Sequence, residues 1–200
     1  MSTPNELKER GVKLFMEQDY EQAVDVFREA IAAYEDEGAA DMVAEMQVNL
    51  GLALHMMGEY EPALEQMNMA HAVFVQMNDA HRRAQVLGNM ARVYARLGNS
   101  EQAITNYREA SAIFIEQGDE ENYGQTVLAI ADLQLRGGQL MQAAATYEVG
   151  LDYIEHPNAR QKIMKSLLGL RNRITGQGGS SSSADDAEAG SAVVDNEDED

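Results

Sequence analysis

Residues 86–118 read VLGNMARVYARLGNSEQAITNYREASAIFIEQG. Within 86–97, Val86, Leu87, Met90, Val93, Tyr94 and Leu97 fall at three-and-four spacing, which places them on one face of an α-helix. Gly98 breaks that helix. A second apolar face then runs through Ala103, Ile104, Tyr107, Ala110, Phe114 and Ile115, and Gly118 closes it. The stretch is a helical hairpin, and it recurs along the chain at a period of 40 residues without insertion. Ala23, Ala63, Ala103 and Ala143 each follow a turn, in QDYEQAV, GEYEPAL, GNSEQAI and GQLMQAA. Gly11, Gly51, Ala91 and Ala131 hold a second small position. Phe27, Met67, Tyr107 and Tyr147 form one large-residue column, and Tyr34, Phe74, Phe114 and Ile154 another. Gly38, Asn78, Gly118 and Asn158 recur at the same period. A repeat of this length marks a stacked helical array, in which each amphipathic hairpin needs its neighbour to bury its apolar faces.

Four hairpins are expected, over about 4–38, 41–78, 81–118 and 121–156. A further helix over 158–174 carries an apolar stripe of Ile163, Leu167, Leu170 and Ile174, expected to cover the exposed end of the last repeat. Its charged residues are all basic: Arg160, Lys162, Lys165, Arg171 and Arg173. Residues 176–200 read GQGGSSSSADDAEAGSAVVDNEDED, with eight acids, no base and little to bury, so a disordered acidic Gly/Ser-rich tail is expected there.

The columns resemble the tetratricopeptide repeat (TPR) family. The second repeat supplies Gly51, Leu54, Gly58, Ala63, Met67 and Ala70 at the family's characteristic positions, and the third supplies Ala91, Tyr94, Gly98, Ala103, Tyr107 and Ala110. The first and fourth repeats fit with substitutions, among them Gln18 for the turn glycine and Gln134 for an aromatic residue. The 40-residue period is similar to that of the family's long-helix branch. The resemblance implies an all-α, TPR-type solenoid: a right-handed superhelix of four hairpins with a capping helix. Its first (A) helices would line a concave groove that captures a peptide or helix of another protein.

Composition narrows the alternatives. With 15 Lys and Arg against 34 Asp and Glu, the formal charge is −19, which disfavours nucleic-acid phosphates. Without the tail's eight acids the body still carries 26 acids against 15 bases. The absence of cysteine removes disulfides, thiolate metal sites and cysteine nucleophiles together. No apolar run reaches the roughly 18 residues of a membrane span. MSTPNELKERGVKL holds no apolar signal core, so a cytoplasmic location is expected. No phosphate-binding glycine motif, His-Glu-x-x-His motif or nucleophile elbow is present, and His55, His71, His81 and His156 lack zinc-ligand spacing. The expectation is a non-catalytic protein with no cofactor and no metal.

The resemblance also points to groove residues. Asn49 and Asn89 hold one A-helix position, where the long-helix branch uses asparagine to bond a bound peptide's backbone; an amide both donates and accepts. Gln85 and Met56 fall on the same predicted lining. Arg92, Arg96 and Arg136 are expected beside it, either taking ligand carboxylates or pairing with Asp132 and helix-end carbonyls. Of the five carboxylate-clamp positions of chaperone-binding members, only Lys8 and Asn49 match, while Val12, Gln85 and Asn89 depart. The expected function is a scaffold or adaptor binding a protein or peptide segment. The alternative is self-association, or a fixed place in a larger assembly through the convex face and cap. Two readings of the tail stay open: it occupies the groove or the cap, or it only solubilises the chain.

Overall fold

A computed structural model describes residues 2–175, which form nine α-helices. These are α1 (Pro4–Met16), α2 (Tyr20–Asp36), α3 (Ala40–Met57), α4 (Tyr60–Gln76), α5 (Ala80–Arg96), α6 (Ser100–Glu116), α7 (Glu120–Arg136), α8 (Leu140–Asp152) and α9 (Ala159–Thr175). The tail assigned to 176–200 lies outside the described residues. Local chemistry fixes the boundaries. Asp19, Asp79, Asn99 and Asp119 each accept the backbone N–H three residues on, satisfying a donor that the helix start leaves open. Turns close with a positive φ at Gly38, Gly58, Gly98, Gly118 and Gly138. Asn78 (φ 55°) and Gln18 (φ 64°) take the same conformation, which is less comfortable with a side chain. The column that begins with Gly38 changes role at its fourth member. Asn158 does not close a helix but opens α9, exchanging bonds with Gln161 at 3.0 and 2.7 Å.

Within each hairpin the two helices cross at a small residue. A Cβ on Gly11 would lie 2.6 Å from the Phe27 ring. One on Gly51 would lie 2.9 Å from Met67 Cγ and 3.0 Å from the Ala63 carbonyl oxygen. Ala91 stands at the same point in the third hairpin, fully buried with Ala103 and Tyr107. In the fourth, Ala131 holds that point, buried with Ala143 and Tyr147, and Gly124 and Gly150 allow a second close approach at the other end of the hairpin. A helix-interior glycine costs about 1 kcal/mol relative to alanine. Fully burying a residue such as Met67 or Phe27 returns roughly 1.5–3 kcal/mol.

Stacking uses the other side of each A helix. Met46, Leu50 and Ala53 of α3 pack on the first hairpin, and Val86, Met90 and Val93 of α5 join that same cluster. Ile130 and Leu133 of α7 pack with Ala91, Ala103 and Tyr107. At the corresponding places α1 carries exposed Glu6, Arg10 and Lys13. The described amino-terminal end is therefore polar.

The other end differs from expectation. The stripe Ile163, Leu167 and Leu170 does not cover the fourth repeat; these side chains are 63, 57 and 54% exposed. Met164 and Leu168 face inward instead, packing with Leu128, Ala131, Tyr147 and Ile154. The reason lies in the polar anchors. Arg160 pairs with Asp132 at 2.7 Å and Arg171 with Glu148 at 2.8 Å, which turns that face of α9 towards α7 and α8. Ile174 falls where no side chain is described.

Two glycine substitutions test the close approach. Gly51→Ala is expected to lower stability by about 1–3 kcal/mol, because the added methyl meets buried Met67 and a backbone oxygen. Gly88→Ala meets nothing within 4 Å. It is expected to raise stability by up to about 1 kcal/mol through helix propensity. Urea unfolding of both variants, followed by circular dichroism, gives the comparison.

Candidate functional site

Four A-helix positions repeat on one surface. In the order α1, α3, α5, α7 they read Asn5, Glu45, Gln85, Gln125; then Glu9, Asn49, Asn89, Ala129; then Val12, Leu52, Arg92, Asp132; then Met16, Met56, Arg96, Arg136. Residues three or four apart share a helix face, so each A helix presents its four as one stripe. Between α3 and α5 this surface opens into a groove of about 570 Å³. Its walls carry Glu45, Asn49, Gln85 and Asn89, and its apolar surface is made by Val48, Leu52, Val86, Phe74 and Phe114.

The structure thus brings together Asn49, Gln85 and Asn89 of the expected lining. Asn49 is half-buried, and among the described residues no group bonds its amide. Asn89 accepts from Arg92 at 3.3 Å, leaving its NH2 group turned to other use. Gln85 lies 3.0 Å from the His81 ring nitrogen Nε2. Glu45 is held by Lys8 at 2.6 Å. Met56, Arg92, Arg96 and Arg136 do not line this hollow. They continue the stripes one helical turn towards the A–B turns, and all four are exposed.

These arginines act on common neighbours. Burial lowers the His55 pKa first, and Arg92 and Arg96 lower it further. Burial raises that of Tyr107, and Arg92 and Arg136 both oppose the rise. Among the described residues no carboxylate pairs with Arg92, Arg96 or Arg136 within 4.0 Å. Asp132, the expected alternative partner of Arg136, is taken by Arg160 of α9 and also accepts the Tyr147 hydroxyl. Burial, and then that contact, push the Tyr147 pKa up to about 12. A separate hollow of about 280 Å³ lies there, beneath α9.

Sequence reasoning missed seven lining residues, Val48, Leu52 and Val86 among them. Phe74 and Phe114 belong to a column of large residues and are almost wholly buried, yet both line the groove. Arg82 and Asn122 hold one A-helix position 40 residues apart, a column that was there to be seen. Arg82 is pinned by Asp79 at 2.5 Å and lies 4.7 Å above the Phe74 ring. It therefore stiffens the wall more than it offers a free charge.

The depressed histidines set a pH dependence. His55 and His71 both have folded pKa values below the ordinary 6.5, with burial the largest cause. Below about pH 6.5 the unfolded chain binds protons that the fold resists, so stability falls as pH drops through that window. The urea midpoint is expected to fall between about pH 7.5 and about pH 5.5, and His55→Gln/His71→Gln to flatten the slope. In Arg92→Gln/Arg96→Gln the His55 ring is expected to titrate at higher pH by NMR, while burial keeps it below 6.5.

Residues 16–168 match the model of a family described as soluble NSF attachment protein, SNAP. Solved structures share the fold. One holds nearly identical TPR-like repeats assigned to a kinesin light chain of Podosopora anserina, with 16% identity, 89% of this chain and 90% of that chain covered, and a TM-score of 0.69. BtubC from P. vanneervenii gives 14% identity over 96% of this chain and 87% of its own, with a TM-score of 0.69. Aspartyl phosphate phosphatase F from Bacillus subtilis gives 15% identity and a TM-score of 0.75. The likeness to the phosphatase covers 88% of this chain but 49% of that protein. No curated protein matches the sequence. At these identities the structural likeness is one of fold, a TPR-like helical-repeat solenoid. With the family model matching most of its length, the chain belongs to the soluble NSF attachment protein family.

Proposed function

We propose that the chain is a non-catalytic, cytoplasmic adaptor that holds a peptide segment or helix of a partner protein across its A helices. The observation that carries this reading is the groove between α3 and α5. It combines an apolar surface with convergent amides, one of which, on Asn49, has no bonding partner among the described residues. Such a surface suits a backbone, whose N–H and C=O groups alternate and need both donors and acceptors. The neighbouring arginines add charge-assisted, bidentate contacts for carboxylates. A family named for attachment to NSF, on a fold shared with a kinesin-light-chain repeat array, agrees with a protein partner.

A second reading has its own observation. The outward stripe of Ile163, Leu167 and Leu170 on α9 is an apolar face of the kind that marks an interface. Through it the chain would self-associate or sit as a fixed subunit of a larger assembly.

Affinity capture from source lysate with the full chain separates the two. In the adaptor reading a captured protein is lost, by about tenfold or more, from Arg92→Ala/Arg96→Ala/Arg136→Ala or from Asn49→Ala/Asn89→Ala. It is retained by Ile163→Ser/Leu167→Ser/Leu170→Ser. The reverse pattern, or a solution mass that rises with concentration and is abolished by the α9 variant, sinks the adaptor reading in favour of assembly.

A further inference from the structure

The stripe nearest the A–B turns divides into two zones. Over the first two repeats it is apolar and exposed: Val12 and Met16 on α1, then Met56 beside half-buried Leu52 on α3. Over the third and fourth it carries Arg92 and Arg96 on α5 and Arg136 on α7, while Asp132, in the Arg92 column of α7, is held by Arg160. The change falls between Met56 and Arg96, which hold the same position in adjacent repeats. A segment that fits has a short apolar stretch followed directly by clustered acids.

The chain contains such a segment. Residues 192–200 read AVVDNEDED: Val193 and Val194 are followed by five acids in the last six residues. We infer that this carboxy-terminal segment docks on the two-zone edge of the groove, valines towards Met56 and acids on Arg92, Arg96 and Arg136, so that it competes with a partner for the same surface. The inference rests on the groove being a peptide-binding surface.

Charge complementarity selects this target over the basic α9. On α9, Arg160 and Arg171 already have carboxylate partners in Asp132 and Glu148, and Lys165 lies 4.0 Å from Asp152. Among its described side chains that leaves Lys162 as a single exposed cation without a carboxylate partner, against the three arginines of the groove edge. Arg92, Arg96 and Arg136 have none among the described residues, and they lie on adjacent A helices at closely related positions. Length permits the contact. The 17 residues from 176 to 192 span up to about 55–60 Å when extended. Neighbouring helices pack about 8–10 Å apart, so α7, α5 and α3, which carries Met56, are within a few such steps of α9. A tethered segment also acts at an effective concentration of order mM, so individually weak exposed ion pairs suffice to hold it. A partner with the same apolar-then-acidic order would displace it.

The absence of cysteine makes the test direct. A nitroxide on Ser191→Cys in the full chain is expected to broaden amide signals around Met56, Arg96 and Arg136. The broadening should fade as salt rises to about 0.5 M. It should also be lost on neutralising the segment (Asp195→Asn, Glu197→Gln, Asp198→Asn, Glu199→Gln, Asp200→Asn), which changes no residue of the folded body. Added peptide of residues 190–200 should relieve it by competition, and dilution separates docking within a chain from docking between copies. Broadening confined to α9, broadening unchanged in the neutralised chain, or none above that of a freely diffusing tail overturns the inference. Failure here, with a captured partner still lost in the triple-arginine variant, removes the tail contact alone. Tail contact present, with a partner indifferent to both groove variants and lost from the α9 variant, removes the adaptor reading and the competition while leaving the tail contact.

Discussion

The array depends on how closely two helices approach at one point in each hairpin. Gly11 against Phe27, and Gly51 against Met67 and the Ala63 carbonyl, are contacts that a single methyl group would obstruct. Each lets the large residue of the second helix seal the hairpin; Phe27 is 1% exposed and Met67 is fully buried. The opposite side of the A helix is then left at the right distance to receive the previous hairpin. Val86, Met90 and Val93 can join a cluster built mainly from the first two repeats because α5 is already seated on α6. Close approach within a unit thus comes before stacking between units. It also determines which A-helix stripe remains uncovered, and that stripe is the groove.

The two described ends of the array differ. At the amino-terminal end of the described residues the corresponding positions are Glu6, Arg10 and Lys13, so α1 presents no apolar seam there. At the other end α9 is held by Met164 and Leu168 and by its ion pairs with Asp132 and Glu148. Turning that face inward leaves Ile163, Leu167 and Leu170 in the open. The sequence shows an apolar stripe at i, i+4, i+7 on this helix, and helical periodicity alone treats that stripe as the buried one. Which face wins depends on Asp132 and Glu148, residues on other helices.

The same distinction explains how much of the site could be read beforehand. Period, turn residues and small positions are local or strictly repeated, so the helices and their pairing follow from the chain. Asn49, Gln85 and Asn89 were reachable because the 40-residue column places them on one face. Arg92, Arg96 and Arg136 could be placed near the groove, but the fate of their charges could not be read. Asp132 sits one turn before Arg136 on the same helix and looks like its natural partner. Arg160, 28 residues away, takes it instead. Phe74 and Phe114 were hidden for a different reason: a large aromatic side chain can fill a core and still line a groove, and periodicity records only the first role.

One local explanation for the arginines has to be weighed. Arg96 and Arg136 stand in the last turns of α5 and α7, where a cation is favoured by the helix dipole by about 0.3–1 kcal/mol. That account does not extend to Arg92, a full turn earlier. Nor does it explain why the same position in the first two repeats carries Met16 and Met56, exposed by 75 and 48%. There α1 carries its last-turn cation at Lys13 instead, and α3 has only His55 before its Gly58 cap, so the fold does not require a cation at this position. Exposed methionines in two repeats and unpaired arginines in the next two, on a chain of formal charge −19, contribute little to stability. In the proposed function they are the features of a surface that a ligand covers, apolar over one half and cationic over the other.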